Sequence, residues 1–332
     1  MTPAGEAPIG EADWAAALDA LRGASSILLT CHVNPDGDAL GSMLGAGLGL
    51  ASLGLPVRAA FPGPVEPAGV LAELPGRELL VPAGQAEAAP DLLVSFDASS
   101  PDRLGELAGR LATARRTLVV DHHASNTRFG ALHLVDPTAA ATGVLVDELL
   151  RRLAVELTPQ IAECLYVAVS TDTGSFKYAS TTPAVHELAG RLIGTGIRHA
   201  ELSRRLYDSR PFGALRLLAD VLARATLDPD AAGGTGLVAS YATLDDLTRY
   251  GQPPQALEAL IGELRTAEEA EVACLAKQSA AAEWTVSLRS KGAVDVSRVA
   301  VALGGGGHRF AAGFTGRGDV ADVFAAVRAE LA

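Results

Sequence analysis

The chain has 332 residues, enough for two domains of ordinary size, and 48% hydrophobic and 20% charged residues are typical of a globular protein. Its net charge of −12 argues against a protein that wraps long duplex nucleic acid, because such binding depends on many basic contacts to phosphates. Three widely separated cysteines without CxxC spacing indicate free thiols in a reducing cytoplasm.

The N-terminus lacks the basic and apolar regions of a signal peptide. Residues 39–57 carry no charge, but their glycines and scarcity of large apolar side chains favour a helix buried on a sheet over a membrane span. We therefore expect a cytoplasmic protein without a membrane-bound segment.

The first half of the chain alternates short apolar runs with helical patterns. We predict strands at 26–30, 56–60, 91–96 and 117–120, and helices after Ala39 and at 103–111, 147–153, 159–170 and 183–193. Strands that alternate with helices indicate an α/β fold, in which a parallel sheet carries helices on both faces. This N-terminal domain is predicted to span residues 1–195.

A different pattern follows an arginine-rich helical connector, which we predict at residues 196–227. Strands are expected at 236–241, 270–275 and 284–289, and helices at 254–264, 296–303 and 320–332. Residues 228–332 are therefore predicted to form a smaller α+β domain.

The densest chemical signal directly follows the first predicted strand. His32, Asp36 and Asp38 lie on a turn there, and the carboxyl ends of strands are where ligands bind in open α/β sheets. Two carboxylates and an imidazole suit a divalent cation, although Asn-Pro-Asp-Gly is also an ordinary turn sequence.

Polar residues also end the third and fourth predicted strands. Asp97 follows the third, and Asp121, His122 and His123 end the fourth. Helix capping is the alternative for each carboxylate, but three such coincidences are improbable. Asp172 heads a polar segment after a helix and is a further candidate.

A glycine run before His308 is the main signal in the second half. Gly304 to Gly307 could expose peptide N–H groups in a loop before a helix and hold a phosphate, or simply form a flexible turn. Arg289 and Ser290 end a predicted strand, and Arg289 could either contact a terminal phosphate or be an ordinary surface charge.

Taken in order, these motifs resemble those of the DHH phosphoesterases, and residues 304–314 resemble that family's DHHA1 domain. The resemblance spans roughly residues 20 to 330, and the compact layout is similar to the nanoRNase and pAp-phosphatase branch. It implies two divalent metal ions, usually manganese. The metal ligands it implies are His32 and Asp36 for one ion, Asp38, His122 and Asp172 for the other, and Asp97 as the bridge.

The resemblance also implies further roles around the metal ions. Asp97 and His123 would be catalytic, and His123 would lie beside the scissile phosphate. Asp121 would contact the metal-binding side chains without touching a metal ion. A metal-activated hydroxide would attack phosphorus in line with the leaving oxygen. The implied substrate-binding residues are Arg289, Ser290, Gly305, Gly306, Gly307 and His308.

We therefore expect an enzyme that hydrolyses short oligoribonucleotides and linear dinucleotides to mononucleotides, and pAp to AMP. The metal site would lie on the first domain, and the residues that hold a terminal phosphate would lie on the second. A substrate bound at both sites would have to be short. The alternatives are a cyclic di-AMP phosphodiesterase, a pyrophosphatase, a single-strand exonuclease or a metal-dependent nucleotide sensor. The family resemblance also favours a homodimer.

Overall fold

The computed structural model describes residues 9–63, 67 and 69–332, except for the side chain of His308. The chain divides into two compact units, Met1–Ser209 and Arg210–Ala332. This division lies inside the predicted connector, and the bounds of the three predicted segments stay predictions. The N-terminal residues 1–8, part of the segment in which we predict no signal peptide, lie outside the described residues.

The first unit is built on a parallel five-stranded sheet, which confirms the predicted fold class. Neighbouring strands follow the order β2-β1-β3-β4-β5, and every pair is parallel. The fifth strand escaped prediction. The strands are β1 (Ile27–Cys31), β2 (Val57–Ala59), β3 (Leu92–Phe96), β4 (Arg116–Asp121) and β5 (Leu132–Val135).

Helices of the first unit agree with most of the predicted positions. They are α1 (Glu11–Gly23), α2 (Gly37–Ser52), α3 (Arg110–Thr113), α4 (Thr142–Arg152), α5 (Pro159–Asp172), α6 (Pro183–Gly194) and α7 (His199–Tyr207). Short 3-10 helices cover Leu71–Glu73, Arg77–Leu79, Ala83–Gln85 and Pro101–Leu107.

The single helix predicted at 103–111 is wrong. The chain forms the 3-10 helix Pro101–Leu107 and then α3, with a break at Gly105, whose φ is 49°. A Cβ atom at Gly105 would lie 2.9 Å from the side chain of Val33. The loop after β1 therefore packs too closely here for a regular helix of larger residues.

The two faces of the sheet are covered differently. Alternate strand residues such as Leu29 and Val94 join the main core with α1, α2, α4 and α5. Leu28 and Leu93 point to the other face and pack against Leu107 and its neighbours, where short 3-10 helices and α3 provide the cover. The long helices therefore lie on one face of the sheet.

The glycines of α2 allow it to pack closely against its neighbours. A Cβ atom at Gly41 would lie 2.4 Å from the carbonyl oxygen of Cys164 in α5, and one at Gly49 would lie 2.4 Å from Leu150 in α4. Most of the uncharged segment therefore lies in α2, a helix of 16 residues that is largely buried. Among the described residues, no helix is long and apolar enough to cross a membrane.

The second unit contains a mixed six-stranded sheet with the order β10-β11-β9-β8-β7-β6, in which only β7 and β8 are parallel. Its strands are β6 (Thr226–Asp228), β7 (Leu237–Ala242), β8 (Val272–Ala280), β9 (Glu283–Ser290), β10 (Gly306–His308) and β11 (Ala311–Arg317). Its helices are α8 (Phe212–Ala223), α9 (Ala231–Gly234), α10 (Leu244–Tyr250), α11 (Leu260–Leu264), α12 (Val296–Ala302) and α13 (Val320–Leu331).

The mixed sheet confirms the predicted α+β class of this unit. The helix predicted at 254–264 is instead a 3-10 turn, Pro254–Leu257, followed by α11. All three cysteines of the chain, Cys31, Cys164 and Cys274, are free and buried, as predicted.

Candidate metal centre

The loop after β1 places His32 and Asp36 together. The ring of His32 is buried, and its Nδ1 lies 2.8 Å from the carbonyl oxygen of Val33. With Nδ1–H donating to that oxygen, Nε2 is the nitrogen that faces the cluster, and it lies 3.7 Å from Oδ2 of Asp36. Asp36 also caps α2, because its Oδ1 accepts a hydrogen bond from the N–H of Ala39.

Asp38 is fully buried and held by three donors. Its Oδ1 accepts from the Ser42 hydroxyl and the Gly143 N–H, both at 2.9 Å, and its Oδ2 accepts from the Thr142 N–H at 2.6 Å. Both N–H groups lie in the first turn of α4, where the helix dipole favours an anion. Burial, with the nearby charge of Asp97, nevertheless raises the pKa of Asp38 well above its ordinary value.

Asp97 lies between two imidazoles. Its Oδ2 is 3.5 Å from Nε2 of His32, and its Oδ1 is 3.6 Å from Nε2 of His122. The backbone is left-handed at Asp97, with φ 56°, a conformation uncommon outside glycine and concentrated at functional sites. Each carboxylate oxygen therefore faces a different histidine, the arrangement that a bridging ligand requires.

His122 and Asp172 close the other side of the cluster. Nδ1 of His122 lies 3.1 Å from the carbonyl oxygen of Ala139, and its Nε2 lies 3.0 Å from Oδ2 of Asp172. Asp172 is the last residue of α5. The close packing of α2 on α5 continues to this end, because a Cβ atom at Gly37 would lie 2.4 Å from the hydroxyl of Thr171.

His123 is oriented by Asp121 and lies beside the cluster. Its Nδ1 is 2.7 Å from Oδ1 of Asp121, and 3.6 Å from Oδ1 of Asp97. Asp121 is buried, and its two oxygens also accept from the N–H of His122 and the amide of Asn126. Burial lowers the pKa of His123, but the hydrogen bond to Asp121 outweighs this effect and raises it.

The donor atoms form two linked groups that suit metal ions. The atoms within each group lie within 4.8 Å of one another. One group is His32, Asp36 and Asp97, and the other is Asp38, His122 and Asp172. A third set joins Asp97 to His122 and His123. The six residues predicted as metal ligands therefore converge, five of them from segments that follow β1, β3 and β4 and Asp172 from the end of α5.

Comparison with known proteins places this cluster in a family. Residues 26–169 match the N-terminal domain of the DHH family, and residues 233–332 match the DHHA1 domain. The bifunctional oligoribonuclease and PAP phosphatase NrnA of Thermus thermophilus is 35% identical over 92% of this chain and 90% of its own length. The chain belongs to the DHH phosphoesterase family. As a member it is a metal-dependent phosphoesterase.

Two further similarities agree with this membership. The probable bifunctional oligoribonuclease and PAP phosphatase NrnA of Streptococcus mutans is 26% identical over 88% of this chain and 90% of its own length. An exopolyphosphatase-related protein from Bacteroides fragilis has the same fold, with a TM-score of 0.89. The match covers 97% of this chain and 96% of that one, at 23% identity.

Four residues that support the DHH cluster escaped the sequence analysis: Ser42, Asn126, Thr142 and Gly143. The hydroxyl of Thr142 donates to Oδ1 of Asp97 at 3.0 Å, while its N–H donates to Asp38. Ser42 lies four residues after Asp38, on the same helix face, and that spacing was a usable signal. Thr142 and Gly143 were missed because the predicted helix began at 147, whereas α4 begins at Thr142 and Ala141 precedes it without a side-chain cap.

The glycine run of the DHHA1 domain differs from the predicted phosphate loop. It does not precede a helix. The N–H groups of Gly304 and Gly305 donate to the carbonyls of Val301 and Ala300 and so terminate α12. Gly306 to His308 then form β10, the edge strand beside β11. The binding roles of Gly305, Gly306 and Gly307 stay predictions, and the side chain of His308 lies outside the described structure.

The other two predicted substrate contacts are neighbours at the end of β9. Ser290 is buried, and its hydroxyl donates to Glu271 at 2.7 Å. The same carboxylate oxygen accepts from the N–H groups of Gly292 and Ala293, so Ser290 belongs to a bonded turn. Arg289 pairs with Ala311 in the adjacent strand. Contacts of either side chain with a substrate stay predictions.

Proposed function

We propose that this phosphoesterase hydrolyses short oligoribonucleotides, including linear dinucleotides, to mononucleotides, and pAp to AMP. The observation that carries the proposal is the convergence of two metal-binding groups that share Asp97. The similarity to two NrnA proteins, across both the DHH and the DHHA1 domain, supports this substrate class over other phosphate esters.

We propose two divalent cations, most readily Mn²⁺, because carboxylates mixed with imidazoles are its common ligands. His32 and Asp36 would hold one ion, Asp38, His122 and Asp172 the other, and Asp97 both. The donor set fits this role, since the Nδ1 atoms of His32 and His122 face carbonyl oxygens and leave Nε2 for a metal. When bound, two such ions activate a water molecule and neutralise the phosphoryl oxygens.

His123 supplies the remaining catalytic group in this proposal. Its Nδ1 faces the buried Asp121, which raises the pKa of the ring and favours the imidazolium form. An imidazolium beside the cluster can stabilise negative charge on the phosphoryl group or protonate the leaving oxygen. Asp121 fixes the orientation of the ring, and Asn126 fixes Asp121.

In the DHHA1 domain we propose that Arg289, Ser290, Gly305, Gly306, Gly307 and His308 bind the substrate. One support is the position of β10 at the edge of the sheet, where a strand presents backbone groups on its outer side. An anion near this edge would meet backbone N–H groups and, in the neighbouring part of the domain, the cationic Arg289. We further propose that the protein works in the cytoplasm as a homodimer.

Product analysis tests the substrate class. The purified protein, with Mn²⁺, is incubated with pAp, a 5′-phosphorylated diribonucleotide, a short RNA, a long single strand, cyclic di-AMP and pyrophosphate. We expect mononucleotides to appear fastest from the short linear substrates. Preference for pyrophosphate, cyclic di-AMP or the long strand would overturn this assignment and favour another DHH activity. Absence of turnover with metal bound would favour a nucleotide sensor.

The variant Asp97→Asn tests the site itself. Asparagine has the same shape and tolerates the left-handed backbone at this position, so the fold should survive. We expect hydrolysis to fall by at least about 1,000-fold, because one amide cannot replace a carboxylate shared by two cations. The control is Asp102→Asn, on the exposed 3-10 helix before α3. Normal turnover by Asp97→Asn would reject the site.

A further inference from the structure

The segment after Asp172 has an unusual backbone. Gly174, Ser175 and Phe176 have φ values of 58°, 60° and 62°, so three consecutive residues are left-handed. For the two residues with side chains this conformation costs roughly 1–2 kcal/mol each. Such strain persists only where the surrounding structure imposes it, and it is concentrated at functional sites.

Phe176 holds this turn in place. Its ring stacks on His186 of α6, with centroids 5.6 Å apart, and lies 6.1 Å from the ring of Tyr166 in α5. The backbone is fixed as well, because the N–H of Phe176 donates to the Thr173 hydroxyl and that of Ser175 donates to the Ser170 carbonyl. The turn is therefore rigid, although its surface is accessible.

The anchored turn presents Tyr178. Its N–H donates to the carbonyl of Thr173 at 3.0 Å, which folds the chain back toward the end of α5. Its ring packs against Gly174, where a Cβ atom would lie 2.4 Å from Cζ. Tyr178 nevertheless remains 45% exposed. An aromatic side chain that is held in place and this exposed contributes little to the hydrophobic core. It is instead suited to contact a ligand.

Tyr178 also lies near the metal centre. Its ring lies against Gly174, two residues after Asp172, and its N–H bonds to the carbonyl of Thr173, the residue that follows Asp172. The ring and the candidate metal-binding carboxylate therefore lie at the same end of α5.

We propose that Tyr178 is a specificity-determining residue, on which a base of a short nucleotide stacks while its phosphate lies at the metal centre. This inference rests on the proposed function. Every base offers a π face, so a rigid aromatic ring binds nucleotides with little preference for sequence. It would thus favour nucleotides over base-free phosphate esters.

The test compares Tyr178→Ala, Tyr178→Leu and Tyr178→Phe on two substrates. One is 5′-phosphorylated ApA, and the other is the same diester with both bases removed. Leu preserves the apolar contact with Gly174 but has no π face, and Phe preserves the face without the hydroxyl. We expect Ala and Leu to raise KM for the dinucleotide about 5- to 100-fold, and Phe to change it less than about threefold.

On the base-free diester, all variants should match the wild type within about twofold in kcat/KM. Affinity for Mn²⁺, measured by calorimetry without substrate, should not change, and this separates stacking from damage to Asp172. A Leu variant that behaves like Phe would show that bulk alone matters and would overturn the inference. Equal losses on both substrates, or weaker Mn²⁺ binding, would also overturn it.

The activity of the wild-type protein distinguishes failure of this inference from failure of the proposed function. If the unaltered protein does not cleave the dinucleotide, the proposed function fails and the inference fails with it. If the wild type cleaves it and Tyr178→Ala does so with an unchanged KM, only the stacking role is lost. Circular dichroism of each variant confirms that the fold is retained, and the Leu variant remains informative if Ala does not fold.

Discussion

The hydroxyl of Thr142 donates a hydrogen bond to Oδ1 of Asp97 at 3.0 Å, although the two residues are 45 positions apart. Thr142 also donates its N–H to Asp38, so one residue at the start of α4 supports carboxylates of both metal-binding groups. A support that orients ligands in this way contributes to metal affinity without touching the metal.

Thr142→Val should therefore weaken metal binding. Valine keeps the shape and the N–H of Thr142 but removes the hydroxyl that orients Asp97. We expect the Kd for Mn²⁺ to rise about 10- to 100-fold. Isothermal titration calorimetry measures the change, and Thr142→Ser, which keeps the hydroxyl, is the matched control. Equal affinities for the Val and Ser variants would contradict this role.

Metal binding should release protons. Burial lowers the pKa of His32 and of His122, but hydrogen bonds to carboxylates outweigh burial and raise each pKa to about 10 in the metal-free protein. Both rings are thus protonated at pH 8, and a metal must displace those protons because it binds neutral imidazole. Affinity should consequently increase as the pH rises from 6 toward 10.

Calorimetry in buffers with different ionisation enthalpies measures this release. We expect about two protons per protein molecule at pH 8, from the two rings. A heat of binding that is the same in HEPES and in Tris would show that no protons leave, and would rule out protonated imidazoles in the metal-free site.

Gly41→Ala should destabilise the first unit. The added methyl group would lie 2.4 Å from the Cys164 carbonyl oxygen, a backbone atom that cannot move aside. We expect the free energy of unfolding to fall by about 1–3 kcal/mol. Gly190→Ala in α6 is the control, because nothing lies within 4 Å of its added Cβ, and it should stabilise by up to about 1 kcal/mol. Thermal unfolding followed by circular dichroism compares them, and equal melting temperatures would refute the close packing of α2.

The second unit should lose stability in acid through Asp246. This buried carboxylate pairs with both terminal nitrogens of Arg224, at 2.6 and 3.0 Å, and caps α10. The hydrogen bond from Arg224 lowers the pKa of Asp246 to about 2. Because the folded pKa lies below the unfolded one, the stabilisation is present above pH 4 and is lost as the pH falls toward 2.

Urea unfolding between pH 2 and 7 tests this dependence. In a Trp14→Phe background, Trp284 reports on the second unit alone, since it lies in β9. We expect Asp246→Asn to be less stable at pH 7 by up to about 2 kcal/mol and to lose less on acidification. Asp245→Asn, beside it but exposed, should change stability by less than about 0.5 kcal/mol. Identical pH profiles for Asp246→Asn and the parent would contradict the assignment.

Local patterns in the sequence were sufficient to pick out the donor residues that converge in the structure, and most of the fold of the first unit. His32, Asp97 and His122 follow apolar runs, and a parallel sheet brings the carboxyl ends of its strands to one edge, so their convergence was predictable. The glycine run shows where prediction from local patterns failed. Its residues predicted a loop before a helix, whereas Gly306–His308 pair with the neighbouring β11 as a short hairpin, and a run of glycines carries no side-chain pattern that signals a strand.

Residue chemistry and short-range periodicity were therefore enough to name the candidate metal ligands and most helices and strands of the first unit, because these depend on local features of the chain. Tertiary structure decided the rest. Which donors hold Asp38 and Asp97, the close approach of α2 to α5, and the strained turn that presents Tyr178 all depend on atoms from segments far apart in the chain. Those contacts arise only when helices pack, and no local pattern encodes their distances.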